Sequence, residues 1–191
     1  MRNQTTRSGG SSLSKRDVRS ASGLSLLYVL TFMMFLPYGG VEKLLLAVFL
    51  LPFMIWLSVC DLKTFELPDT ATVAIAFGSV TYVAFTMPNA VALHMCTAVG
   101  VLAFCWLLGE VYYRRVGQEG LGIGDAKLFA AGALLLGPWQ LPELILFPAL
   151  GGIALHIISA AKGAGDHVGI PFGPFISYAM FILFFLDPIF L

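Results

Sequence analysis

Seven apolar runs, separated by short breaks, follow a polar segment at the start of the chain. The runs cover residues 21–38, 41–60, 71–87, 90–111, 126–137, 142–161 and 171–191. Most of them reach the roughly 20 residues that a helix needs to cross a hydrocarbon core of about 30 Å. Breaks such as residues 37–40 (PYGG) and 137–138 (GP) carry the residues that favour turns. The pattern predicts an all-α, polytopic membrane helix bundle with about six or seven transmembrane helices.

Composition supports a membrane protein and argues against a soluble domain, a nucleic-acid-binding protein and a zinc or disulfide-rich protein. Of its 191 residues, 58% are hydrophobic and 12% are charged, which is too apolar for a soluble domain of this length. The formal net charge is zero and the N-terminus is the one basic stretch, so we predict no nucleic-acid partner. Cys60, Cys96 and Cys105 form no C-x-x-C pair, so we predict neither a zinc site nor a disulfide framework, and no metal or cofactor.

The distribution of positive charge predicts the orientation in the bilayer. Residues 1–20 are polar, rich in serine and glycine, and basic, which is typical of a flexible cytoplasmic tail before a membrane-embedded domain at 21–191. If this tail is cytoplasmic and the helices alternate, ten of the 11 Lys and Arg residues lie on the cytoplasmic side and only Lys43 lies outside. This is the positive-inside pattern. It also places Asp61 and Asp125 at the same membrane face.

A glycine-rich loop, GLGIGDAK at residues 120–127, delivers Asp125 to the start of an unusually short apolar run. The run at 126–137 would be about 18 Å long as a helix, which is short of the bilayer thickness. A carboxylate at membrane depth costs several kcal/mol and therefore indicates a functional site. We expect the loop to dip below the cytoplasmic surface and to line a recessed, water-accessible site.

Asp61 ends the second apolar run and is the natural partner of Asp125. Two carboxylates at one membrane level are what aspartic peptide hydrolysis requires, because one takes a proton from water while the other donates to the scissile carbonyl. Two such groups in close contact share one proton. Asp125 lies at a predicted helix N-terminus and Asp61 near a C-terminus. This difference, about 0.3–1 kcal/mol, favours Asp125 as the base and Asp61 as the acid.

Three motifs in order along the chain carry a family resemblance. They are Asp61-x-Lys63 with Leu67-Pro68-Asp69, then Gly122-x-Gly124-Asp125-x-Lys127, then PFGPF at residues 171–175. With these motifs the chain resembles the type IV prepilin peptidases, which are GxGD-type intramembrane aspartic proteases. The resemblance covers about residues 44–185 and is to the short, peptidase-only form that lacks the N-terminal cysteine-rich methyltransferase domain.

The resemblance implies a function and a set of site residues. It makes Asp61 and Asp125 the catalytic pair and places Gly122, Gly124 and Lys127 in the active-site loop. It implies cleavage of the short basic leader of type IV pilin or pseudopilin precursors. The cut would occur at the cytoplasmic face of the bacterial inner membrane, just before the hydrophobic pilin helix. The expected partners are this substrate and the lipid bilayer.

Residues beside the motifs are candidates for the substrate cleft. Glu66 and Asp69 would suit a basic leader, although turn residues before a helix look the same in sequence. The stretch Pro171, Phe172 and Gly173 either lines the cleft or is a plain helix break.

Two other functions stay open at this stage. A small proton- or cation-coupled transporter could use Asp61 and Asp125 as ion sites, with the Gly-Pro breaks as discontinuous helices. Transporters often contain two similar halves, and we find no internal repeat. A non-catalytic assembly scaffold would have no reason to retain both aspartates.

Overall fold

The computed structural model describes residues 15–37, 39–117, 120–161 and 171–186. Within these ranges the chain forms seven α-helices and one 3-10 turn, with no β-strand. The helices are α1 (Lys15–Phe35), α2 (Val41–Thr64), α3 (Asp69–Thr86), α4 (Val91–Val116), α5 (Ile123–Leu136), α6 (Leu141–Ala161) and α7 (Gly173–Leu183). The predicted all-α fold is confirmed. The predicted break at residues 162–170 lies outside the described residues.

The first helix begins earlier than the sequence predicted. α1 starts at Lys15, so residues 15–20, which we expected in the flexible tail, are helical. This stretch, KRDVRS, contains no glycine or proline, and Lys and Arg are good helix formers, so the helix extends beyond the apolar run. Residues 1–14 of the predicted tail lie outside the described residues.

The short fifth helix is the centre of the bundle. α5 packs against α3, α4, α6 and α7, and every residue from Ala131 to Leu136 is buried. A helix that is apolar on all sides has no face suited to water, so a position among other helices satisfies its sequence. On one side of this arrangement α2 packs against α1, α3 and α7. The end of α2 and the start of α7 thereby come close to the start of α5, where the candidate site lies.

Several helices are suited to a lipid environment. Three are long and apolar enough to cross a membrane, namely Val41–Thr64, Pro88–Val116 and Leu141–Ser159. Ser22–Phe35 and Gly173–Leu183 are shorter apolar helices. α4 exposes large apolar side chains such as Phe104 and Trp106, which are 58% and 57% exposed and which favour contact with lipid over water. The chain is a helical membrane protein, and the total of six or seven spans stays a prediction.

Candidate active site

Asp61 lies in the last turn of α2 and is only 3% exposed. The helix ends at Thr64 because Phe65 adopts a left-handed conformation, with φ of 55° and ψ of 25°. The Phe65 backbone N–H donates to the Asp61 carbonyl oxygen at 3.0 Å and closes the last turn. A non-glycine residue in this conformation is uncommon, and such residues cluster at functional sites. The chain therefore turns away directly after Asp61.

The carboxylate of Asp61 is held by the start of α7. The Gly173 backbone N–H donates to Asp61 Oδ2 at 2.8 Å. A Cβ atom on Gly173 would lie 3.0 Å from the same oxygen, a separation at which the carboxylate would have to shift. Glycine is therefore required here for close approach, and the first N–H group of α7 receives the acceptor that a helix N-terminus lacks within its own helix.

Asp125 lies in the first turn of α5, as the glycine-rich loop predicts. Gly122 is the N-cap, and its carbonyl accepts a hydrogen bond from the Ala126 N–H at 3.1 Å. Asp125 Oδ1 is buried and has no hydrogen-bond partner within the described residues. Asp61 is close enough for its negative charge to repel a negative charge on Asp125. A buried oxygen without a partner is costly, which indicates that a proton, water or substrate group completes the site.

Asp61 and Asp125 line a single cleft of about 780 Å³. The other lining residues come from five places: the segment after α2, the start of α3, the loop before α5, the first turns of α5 and the segment before α7. They are Phe65, Glu66, Leu67, Asp69, Gly120, Gly122, Ile123, Gly124, Lys127 and Phe172. The name "catalytic cleft" is used for this set below. The charge pattern predicts that the two aspartates lie at one membrane face, and their position in a single cleft agrees with that prediction.

Most of the residues selected from the sequence lie in or beside the catalytic cleft. Pro171 is an exception, because it is not among the described residues that line the cleft. Gly173 does not line it either and acts through its backbone N–H on Asp61. Phe65 and Leu67 line the cleft without having been selected as site residues. Their position directly between Asp61 and Asp69 is the signal that could have indicated them.

Lys127 and Asp69 form an ion pair at the edge of the cleft. Lys127 Nζ donates to Asp69 Oδ1 at 2.7 Å and joins the first turns of α5 and α3. Both side chains are partly in solvent, at 40% and 68% exposure, so the pair adds at most about 1 kcal/mol to stability. The charge of Asp69, expected to meet a basic leader, is therefore already paired. Glu66 makes no ion pair within the described part of the chain.

No group of three or more His, Cys, Asp or Glu side chains in the described ranges is placed to hold a metal ion. Cys60, Cys96 and Cys105 are free thiols. The cleft brings together two carboxylates, those of Asp61 and Asp125.

Comparison with known proteins identifies the family. The model of the type IV leader peptidase family matches residues 48–158, a range that includes Asp61 and Asp125. The chain belongs to the type IV leader peptidase family. No solved structure matches it.

Curated relatives of this family member carry leader peptidase names. The prepilin leader peptidase/N-methyltransferase of Pectobacterium carotovorum subsp. carotovorum is 32% identical over 160 residues, which are 80% of this chain and 56% of that protein. The corresponding Escherichia coli protein is 31% identical over 132 residues, 68% of this chain and 58% of its own length. The leader peptidase HopD of Salmonella typhimurium is 30% identical over 142 residues, 71% of this chain and 88% of HopD.

The chain spans about half the length of the prepilin leader peptidase/N-methyltransferases it matches, from 44% to 58%, and most of the length of HopD. These names give no support to the transporter alternative.

Proposed function

We propose that this family member is an aspartic endopeptidase that removes the leader of type IV prepilins or pseudopilins. The observation that carries the proposal is that Asp61 and Asp125, from the end of α2 and the start of α5, line one cleft. Both lie within the range matched by the family. The peptidase names of the relatives support the reaction class, and "prepilin" in several of those names supports the substrate.

We assign the roles of the two aspartates in the opposite sense to the one predicted from helix ends. Asp61 receives a hydrogen bond from the Gly173 N–H, and such bonds to a charged acceptor contribute about 1.5–3 kcal/mol. This exceeds the helix-end effect of about 0.3–1 kcal/mol. In addition, the side chain of Asp61, which belongs to α2, faces the N-terminus of α7. A helix N-terminus favours an anion. We therefore assign the charge to Asp61 and the shared proton to Asp125, whose Oδ1 has no partner in the described residues.

Peptide hydrolysis then follows from the two protonation states. A water molecule attacks the scissile carbonyl carbon while Asp61 takes its proton, and protonated Asp125 donates to the carbonyl oxygen, which gives a neutral gem-diol. Asp61 then passes its proton to the amide nitrogen, the C–N bond breaks, and Asp125 regains a proton from the gem-diol. Each carboxylate returns to its starting state, so the pair acts as one unit.

The location of the cleft relative to the bilayer is also part of the proposal. The positive-inside pattern predicts that the ends of α2 and α4 and the start of α5 face the cytoplasm. In that orientation the N-terminus is cytoplasmic and the cleft opens on the cytoplasmic side of the bacterial inner membrane. A basic leader would meet Glu66, an acidic side chain that lines the cleft beside the two proposed catalytic aspartates and makes no ion pair among the described residues.

Co-expression with a candidate prepilin tests the proposal, with loss of the leader scored on a gel. Asp61→Asn and Asp125→Asn should each abolish cleavage and leave membrane insertion intact, because the change removes a charge and almost no volume. The double mutant should be no worse than either single, since the carboxylates act as a unit. Glu110→Gln is the control, a carboxylate of α4 that does not line the cleft, and should retain cleavage. Measurable leader removal by either single catalytic variant would reject the dyad.

A further inference from the structure

Three hydroxyl groups from three helices meet in the core beneath the catalytic cleft. Tyr28 of α1, Ser58 of α2 and Ser177 of α7 are all fully buried, at 0% exposure. Tyr28 Oη lies 2.8 Å from Ser177 Oγ and 3.3 Å from Ser58 Oγ, and the two serine oxygens are 2.9 Å apart. Buried hydroxyls that satisfy one another hold their helices in a defined arrangement. This set is called the hydroxyl cluster below.

The hydroxyl cluster lies one helical turn from the contact that holds Asp61. Ser58 precedes Asp61 by three residues in α2, and Ser177 follows Gly173 by four residues in α7, so each pair shares a helix face. Ser177 Oγ also donates to the Gly173 carbonyl oxygen at 2.9 Å. The cluster and the Gly173 N–H···Asp61 hydrogen bond are therefore two successive links between α2 and α7.

Donor and acceptor counting gives Tyr28 a defined place in the cluster. Ser177 has one proton, which is directed to the Gly173 carbonyl, and two lone pairs that can accept from Tyr28 and Ser58. Tyr28 is then the donor that joins α1 to the pair of serines. The tyrosine ring is fixed independently, because it packs edge-on against Tyr178 and Phe181 at centroid distances of 5.4 and 5.5 Å.

We propose that Tyr28 is a positioning residue for Asp61. Its hydroxyl sets the spacing of α2 and α7 through Ser58 and Ser177, and that spacing sets the hydrogen bond from Gly173 to the Asp61 carboxylate. This inference rests on the proposed peptidase function. Tyr28 and Ser177 lie outside the range that the family model matches, residues 48–158. The cluster therefore positions Asp61, which lies inside that range, through residues on either side of it.

Tyr28→Phe tests the proposal, with Tyr178→Phe as a matched control. Tyr178 makes a hydrogen bond of the same kind between α7 and α1, with its Oη 2.9 Å from Thr31 Oγ1, but it has no contact with Ser58 or Ser177 through that hydroxyl. Each change removes one tyrosine hydroxyl and keeps the ring. We expect Tyr28→Phe to lower kcat for leader removal about tenfold with KM within about twofold, since a misplacement well below 1 Å costs that much. Tyr178→Phe should behave as wild type.

A double-mutant cycle separates positioning from general loss of packing. Ser177→Ala should lower kcat at least as much as Tyr28→Phe, and the combination should be no worse than Ser177→Ala alone, because both act through the same link. Equal kcat values for Tyr28→Phe and Tyr178→Phe, multiplied losses in the double mutant, or an effect confined to KM would overturn the proposal.

A second readout does not depend on cleavage. Dicyclohexylcarbodiimide, an apolar reagent that adds to protonated carboxyl groups, is applied to membranes containing each variant, and the adduct on Asp61 is quantified by mass spectrometry. The hydrogen bond from Gly173 favours the Asp61 anion. When that bond is loosened, a larger share of Asp61 is protonated and reactive, so labelling of Asp61 in Tyr28→Phe should be several times faster than in wild type or Tyr178→Phe. Equal rates in all three proteins would overturn the positioning role. Faster labelling in a chain that cleaves no prepilin would reject the peptidase function and leave the positioning role intact.

Discussion

Replacing Gly124 with alanine tests whether the glycine-rich start of α5 belongs to the active site. A Cβ atom at this position would lie 3.2 Å from both Cβ and Cδ1 of Leu67, whereas carbon atoms in contact prefer about 3.5–4.0 Å. Leu67 also lies against Gly173, with its Cδ2 atom 3.2 Å from the place of a Cβ there. Leu67 thus separates the start of α5 from the residue that holds Asp61. A methyl group on residue 124 must push either Leu67 toward Gly173 or Asp125 away from the cleft.

The magnitude follows from the size of that movement. Relief of the contact requires a displacement of a few tenths of an ångström, and a misplacement of about 1 Å costs about a hundredfold in rate. Gly124→Ala should therefore slow cleavage about tenfold, and Gly124→Val about a hundredfold or more. Stability should not fall in parallel, because Gly124 lies within α5 and alanine is favoured over glycine in a helix by up to about 1 kcal/mol. A slower and equally stable enzyme is the expected signature.

The assay is the initial rate of leader removal at matched membrane levels of each variant. Gly100→Ala is the control, because a Cβ there meets no atom within 4 Å. Gly117 is unsuitable as a control, since its φ of 72° would strain any side chain. In a Leu67→Gly background, adding Gly124→Ala should cost less than about twofold, because the Leu67 side-chain atoms that the new methyl group meets are gone. Equal rates for Gly124→Ala and Gly100→Ala would refute the reasoning and leave the loop as a linker.

Two further predictions concern the chemistry and the leader. Cleavage should persist within about twofold in strong chelator and with Cys60, Cys96 and Cys105 all changed to Ser, since the proposed reaction uses neither metal nor thiolate; inhibition by EDTA that zinc reverses would contradict this. Glu66→Lys should raise KM for a basic leader about tenfold and leave kcat unchanged. Glu110→Lys makes the same charge change in α4 outside the cleft and is the control; an unchanged KM for Glu66→Lys would assign leader binding elsewhere.

Local patterns predicted the helices and the meeting of the two aspartates. The apolar runs have the lengths and breaks of helices, and the break at residues 137–138 is where α5 ends, with Gly137 at a φ of 73°. Asp61 and Asp125 could be placed together because positive charges fix the side on which each helix ends. That inference needs only the order of the helices and no knowledge of how they pack. The resemblance to the family used the same short motifs.

Contacts between distant residues could not be predicted in the same way. The Asp61 side chain meets a backbone N–H 112 residues away, and Lys127 pairs with an aspartate 58 residues away. Tyr28 and Ser177 are 149 residues apart. None of these partners has a local signature, because backbone N–H groups, buried serines and aspartates at helix ends are common in membrane proteins and do not show in sequence which residue they contact. The roles that we propose for the two aspartates differ from those predicted from helix ends for this reason, since helix ends could be inferred from the sequence and the donor from α7 could not.

The short length of α5 is the common cause of the cleft and of its contents. α5 has 14 residues and α4 has 26, or about 21 Å against about 39 Å at 1.5 Å per residue. A short helix packed against the longer helices α3, α4 and α6 leaves a recess at its end, and Asp125 in its first turn lies in that recess. The loop before it must enter the bundle to reach the helix, which explains why small residues at 120, 122 and 124 line the cleft. In a recess of this kind water can reach the carboxylates while the surrounding protein strengthens their mutual interaction, and shared-proton catalysis depends on both conditions.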